Sequence, residues 1–176
     1  MNVPTVHARR LDLVSMSPSI LEASLMGQRA EAARLLGARL PPDWPKPAER
    51  QLRRRLEQLT ADPTHQPWLL RAMVLRDDPD RPLVGCINFH APPGPDGWVE
   101  VGYRVLPDFR RRGYAQEAAE ALFDWATREH KVRRFRASVG PDNQPSLALV
   151  SKLGFREIGR QWDDEDGDEV VFELER

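Results

Sequence analysis

The chain has 176 residues, 26 Lys+Arg against 27 Asp+Glu for a formal net charge of −1, and 40% hydrophobic residues. This describes one soluble globular domain long enough to bury a core without disulfides, and the balance of charge argues against nucleic-acid binding driven by overall charge. The single cysteine, Cys86, excludes a disulfide framework or a cysteine-rich zinc site, no apolar run suits a transmembrane helix, and MNVPTVHARR lacks the apolar core of a signal peptide, so a cytoplasmic protein away from membranes is expected.

In chain order, ARRLDLVSM with Leu11 and Val14 predicts a strand, Ser17-Pro18 a helix start, and Ile20, Leu21, Leu25, Ala32, Leu35 and Leu36 two short helices broken near Gly27. Pro41, Pro42, Pro45 and Pro47 then impose a rigid loop carrying Trp44. Leu52, Leu56 and Leu59 space a helix from Ala48 to about Thr60. WLLRAMVLR from Trp68 and PLVGCINFH from Pro82 read as strands around the turn DDPDRP. After the proline- and glycine-rich run Ala91 to Gly97, WVEVGYRVL alternates: Val99, Val101, Tyr103 and Val105 share one face, Trp98, Glu100, Gly102 and Arg104 the other. Three successive antiparallel strands are the economical reading.

Pro107 ends the third strand, and Ala115, Ala118, Ala119, Leu122, Phe123 and Ala126 form one apolar stripe on a helix from about Gly113 to His130. VRRFRASV from Val132 predicts a strand, and Pro145 to Leu153 a short helix stopped by Gly154. FREIGRQW and EVVFELE close the chain as strands joined by DDEDGD, where Asp166-Gly167 suits a tight hairpin turn. The order β-α-α-β-β-β-α-β-α-β-β describes one α+β domain over residues 1–176, a mixed, mostly antiparallel sheet flanked by helices. The 16 prolines mark boundaries between these elements more often than they interrupt them.

The chemically informative stretch is VEVGYRVLPDFRRRGYAQEAAEALFDWA, in which Arg110, Gly113 and Ala115 stand as R-x-x-G-x-A between a strand and a long helix. Such a helix start offers unpaired N–H groups and the positive end of the helix dipole, and Gly113 lets backbone approach an anion closely. Arg110, Arg111 and Arg112 add positive potential. Read as residues alone, the segment is either a pyrophosphate site or a solvated basic turn. Neither G-x-x-x-x-G-K-[ST] nor a strand-borne G-x-G-x-x-G is present, which argues against a P-loop or a dinucleotide fold.

With PDNQPSLALVSKLGF, this stretch resembles the GNAT superfamily of acetyl-CoA-dependent N-acetyltransferases. It is most similar to the Rim-type branch of ribosomal-protein acetyltransferases: Glu100, Gly102 and Tyr103 match E-x-G-Y, and Asn143, Ser146, Lys152, Leu153, Gly154 and Phe155 match N-x-x-S followed by K-L-G-F. The resemblance implies acetyl-CoA as co-substrate; no metal is expected, since His7, His65 and His130 have no metal-ligand spacing. The same resemblance places the pyrophosphate on the amides of Arg110, Arg111, Arg112, Gly113, Tyr114 and Ala115, the pantetheine beside the strand end at Val105, and an N–H near Val105 on the thioester carbonyl. It also implies that this strand carries a bulge and splays from the next. The reaction it implies is direct attack by an amine, so Cys86 is not needed as nucleophile and reads as a small core residue.

Glu100 is the candidate base, acting directly or through water, with a structural carboxylate as the alternative. The resemblance implies a cofactor contact for Ser146 as acid or thiolate stabiliser, and for Asn143 on the pantetheine; both also suit the start of an ordinary helix. The tyrosine that many family members place seven residues after that asparagine is Val150 here, so that acid is absent. The acceptor side is expected to be built from LPPDWP with Trp44 and from the acidic hairpin Asp163 to Glu169. His90 reads as a surface histidine, and RQLRRRLEQ from Arg50 as a solvated helix face rather than an RNA contact. The leading reading is an N-acetyltransferase for a primary amine, a protein N-terminus or a small molecule; the alternative is a catalytically silent acyl-CoA-binding or sensing module. An edge strand leaves a homodimer open.

Overall fold

The structure, a computed structural model, describes residues 3–164 and 167–176. The expected Asp166-Gly167 turn depends on Asp166, which lies outside the described residues. Strands β1 (Val6–His7), β2 (Leu11–Ser15), β3 (Arg71–Leu75), β4 (Leu83–Phe89), β5 (Trp98–Val105), β6 (Arg134–Val139), β7 (Arg156–Asp163) and β8 (Gly167–Glu175) form a sheet in the order β1-β2-β3-β4-β5-β6-β8-β7. Helices α1 (Pro18–Leu25), α2 (Arg29–Leu36), α3 (Glu49–Ala61), α4 (Tyr114–His130) and α5 (Gln144–Lys152) complete the fold. The expected α+β class and three consecutive antiparallel strands are all present.

The first strand differs from its expected span. The strand expected from Ala8 begins only at Leu11, because Arg9 and Arg10 form a turn closed by the Ala8 amide donating to the Leu11 carbonyl at 2.8 Å, and β1 lies ahead of that expected span. Both the backbone N–H and Nε of Arg10 then donate to the Glu117 carboxylate on α4, so the turn ties the sheet edge to the central helix.

Two apolar cores flank the sheet. On one face α1, α2 and α3 enclose Leu21, Leu52, Ala72, Val74 and Cys86; on the other, α4 packs Ala118, Leu122 and Phe123 against Phe89, Val99 and Phe135. A register shift between Met73 and Val74 leaves Val84 unpaired in β4. Leu83 and Cys86 therefore face the first core, while Val84, Ile87 and Phe89 face the second. Trp44 is not a cleft wall: it is 6% exposed, and its indole Nε1 donates to Ser24 Oγ at 3.0 Å, pinning the proline loop onto α1. Burial of an indole needs such a partner for its one donor.

The sheet opens at its centre. β5 and β6 run parallel and pair through Trp98, Val99 and Glu100 against Arg134, Phe135 and Arg136, and there the pairing stops. The splay implied by the family resemblance is present. The bulge is not: β5 keeps an unbroken register against β4 from Val101 to Val105, because no residue of β5 is left over between them. No helix among the described residues is long and apolar enough to cross a membrane.

Candidate active site

The splay leaves one edge of β5 without a strand. The His90 amide donates to the Glu100 carbonyl, and the Leu106 amide to the Val84 carbonyl, so the even-numbered residues of β5 exchange hydrogen bonds with β4. Val101, Tyr103 and Val105 therefore turn their N–H and C=O groups toward the missing neighbour. At the end of this edge Arg110 Nε donates to the Val105 carbonyl at 3.1 Å.

The loop that follows brings backbone donors to the same place. Arg111 and Gly113 both take positive φ, 57° and 79°, and Gly113 caps α4 with no side-chain oxygen to satisfy the first-turn amides. Glycine is favoured there by its dihedral rather than by crowding, since an added Cβ would meet Arg10 Nη2 no closer than 3.5 Å. Arg110, Arg111 and Arg112 are exposed around the loop. Arg112 also donates to the Asp108 carbonyl and accepts at its own carbonyl from Arg10. The Tyr114 ring is buried beneath the Arg10 guanidinium, so only its backbone faces the loop; Ala115 is half-buried.

Across the splay, Asn143 caps α5: its Oδ1 accepts from the Ser146 amide at 3.3 Å. Ser146 is half-buried. Its hydroxyl neighbours the phenol of Tyr103, which is buried and makes no hydrogen bond of ordinary geometry. Burial pushes the Tyr103 phenol up, and Ser146 draws it part of the way back. Val150 is 1% exposed and contributes packing alone.

Glu100 lies on the other face of β5, its carboxylate 3.8 Å from His90 Nδ1. His90 is an exposed side chain, as expected from the sequence, with this carboxylate beside it. About 45% of the ring remains exposed, yet it sits in a concavity below α3, over Gly102, where an added Cβ would come within 2.7 Å of Nε2. Desolvation lowers the His90 pKa against the opposing pull of Glu100, and Arg55 and Arg54 lower it further. The register pairing His90 with Glu100 was the available signal, since both follow from one antiparallel turn around residues 91–97. The run from Arg50 is likewise no purely solvated face: Arg55 is 4% exposed, and α3 roofs a cavity floored by Gly102. Cys86 is wholly buried, which pushes its thiol up to about 12, so it is no nucleophile.

Comparison with known proteins bears on this arrangement. The profile of the Acetyltransferase (GNAT) domain family matches residues 10–156. The chain is 29% identical over 154 residues to the uncharacterized N-acetyltransferase YjdG of Bacillus subtilis, across 85% of this chain and 88% of that protein. The crystal structure of a GNAT-family acetyltransferase from Bacillus anthracis shares the fold with a TM-score of 0.67 at 22% identity, over 98% of each chain. RimL, a ribosomal-protein α-N-acetyltransferase solved in complex with coenzyme A, does so with a TM-score of 0.66 at 17% identity, again over 98% of each chain.

Proposed function

Because the chain belongs to the GNAT acetyltransferase family, we propose that it transfers the acetyl group of acetyl-CoA to a primary amine, with residues 1–176 acting as one catalytic domain. The observation that carries this is the unpaired edge of β5 running into the uncapped, glycine-started α4. These are the donors that a pantetheine amide chain and a pyrophosphate require, so the residues fit the co-substrate.

Acetyl-CoA, when bound, supplies a thioester acetyl group open to direct attack by an amine. The amides from Arg110 to Ala115 hold the pyrophosphate, with Arg110, Arg111 and Arg112 adding charge. The N–H groups of Val105 and Tyr103 pair along the pantetheine, and the one nearest the thioester polarises its carbonyl. Glu100 accepts the proton of the attacking amine, directly or through water. His90, its pKa lowered, does not neutralise that carboxylate. Ser146, beside the Tyr103 phenol, donates toward the leaving sulfur. Asn143 shapes this corner through its cap on α5, with its Nδ2 left for the pantetheine.

Thermal melting with and without acetyl-CoA tests the reading. Ligand at a hundredfold excess over Kd stabilises the native state by about 2.7 kcal/mol; no shift at millimolar acetyl-CoA would overturn it. Release of free CoA thiol with a panel of amines and N-terminal peptides then separates an enzyme from a silent binding module.

A further inference from the structure

The cavity beneath α3 measures about 820 Å³, within the range of roughly 300–1,000 Å³ typical of small-ligand sites. Lys46, Arg50, Arg53, Arg54, Arg55 and Arg104 line it, against the carboxylates of Glu49 and Glu57. In a chain of net charge −1 this is a local segregation of cations, not a reflection of the whole surface. None of the described residues of the acidic hairpin expected to draw a cationic acceptor lines it. Of its carboxylates, Asp168 and Glu169 are engaged with Arg160 and Gln161 within the hairpin, while Asp163 acts electrostatically on His90 at the sheet side of the cavity.

One buried donor without an acceptor lies in the lining and a second lies just beneath it. Arg55, 4% exposed, meets the neutral oxygens of Gln58 and the His90 carbonyl, and its Nε has no partner. A guanidinium so buried is costly without a counter-charge. Asn88 does not line the cavity but lies fully buried beneath its lining residues Gln51 and Gly102; its Oδ1 accepts from Gln51 at 2.8 Å while its Nδ2 has no partner. That Nδ2 lies 3.5 Å from where a Cβ on Gly102 would stand, against the cavity floor. Both orphaned groups are donors, and an oxyanion offers acceptors and negative charge together. On the sheet side the sign reverses: Glu100 and Asp163 both act electrostatically on His90.

We propose that this cavity binds the anionic part of the acceptor, so that the substrate is a primary amine bearing a carboxylate or phosphate. This rests on the acetyl-transfer reading above. The oxyanion lies under α3 with Arg55, Arg53 and Arg104, and the amine is directed toward Glu100. The charge pattern thus orients the acceptor as well as selecting it.

The test uses full-length protein with CoA already bound, so that the phosphate loop is occupied. Binding of O-phosphoethanolamine, aspartate and a short peptide beginning Glu-Glu is measured by calorimetry against ethanolamine, alaninamide and a peptide beginning Gln-Gln. At least one anionic probe binds about tenfold or more tightly than its neutral partner, with a preference that shrinks as salt rises; the arm that does so distinguishes a small phosphorylated amine, an amino acid or an acidic N-terminus. In the double variant R53Q/R104Q, whose side chains lie at the protein surface, that preference falls about tenfold while CoA affinity is kept. Equal binding of anionic and neutral probes, or a preference untouched by R53Q/R104Q, overturns the proposal. Failure of CoA itself to bind would instead sink the acetyl-transfer reading.

Discussion

The Glu100 carboxylate and His90 Nδ1 stand 3.8 Å apart at a seam where β5 has just lost its parallel neighbour. The pair links the open edge of β5 to the cavity below α3.

Glu100→Gln removes the proposed base while keeping the shape. We expect kcat at saturating amine to fall about 10²–10⁴-fold, with acetyl-CoA affinity and Tm preserved. Steady-state kinetics beside a melting curve measure all three, and an unchanged kcat rules out the role.

His90 titrates below its ordinary 6.5, chiefly through desolvation, with Arg55 and Arg54 reinforcing and Glu100 and Asp163 opposing. A histidine C–H NMR titration should give a midpoint under 6.5 that falls further in Glu100→Gln, where one opposing charge is gone. His130 is also lowered, by desolvation first, against the opposing pull of Glu129 and with a smaller push from Arg71. For both rings the unfolded chain binds protons more readily between the folded value and 6.5. Stability from this source is complete above 6.5 and is lost as pH falls through that window. Urea unfolding at successive pH values checks the sign, and a midpoint for His90 above 6.5 contradicts it.

Two neighbouring glycines should behave oppositely. In Gly102→Ala the new methyl meets the tip of the His90 ring at 2.7 Å, which can swing aside. Stability should change by less than about 1.5 kcal/mol while the His90 titration and transfer rate shift. In Gly85→Ala the methyl meets the Arg104 carbonyl at 2.2 Å and Met73 Cε at 2.4 Å. Strand backbone has nowhere to go, and a loss of about 3 kcal/mol or more is expected. Chemical denaturation of the two variants compares them directly.

Gly113→Val should weaken acetyl-CoA binding more than it destabilises the fold. The φ of 79° costs a substituted residue about 1–2 kcal/mol, and the side chain would stand over the amides assigned to the pyrophosphate. Calorimetric Kd against Tm separates the two effects; a Kd equal to wild type would remove the loop from the site.

Cys86 should be silent to a thiol reagent in the native state and react once the chain is unfolded, given its burial. Reaction of native protein within minutes would contradict the core assignment. Its silence also means that thiol appearing during turnover belongs to released CoA.

Much of this was legible beforehand because periodicity is local. The α4 stripe, the alternation of β5 and the loop at Arg110–Gly113 are all set by neighbours within a few residues. What escaped depends on partners far along the chain. Trp44 looked like a cleft aromatic because nothing nearby reveals that Ser24 receives its indole N–H. The arginines of α3 alternate with leucines as any solvated face does, and only the overlying of α3 on β5 turns them toward Gly102. His90 reads as a plain surface side chain because it lies at a strand end, and its pairing with Glu100, ten positions on, depends on how the intervening turn folds back. The bulge failed for a different reason: it was borrowed from the family pattern, whereas register is decided by how this β4 meets this β5.

The chain's last strand is not at the margin of the sheet. β8 lies between β6 and β7, pairing with both, and buries Val170 and Val171. The family profile ends at residue 156, before either hairpin strand is complete. A fragment trimmed to that limit would lose an interior plank rather than a fringe, baring the far edge of β6 just behind the opening in which the proposed chemistry sits. Removal or distortion of β8 therefore acts on the active half of the molecule, although no residue of β8 is assigned to the chemistry.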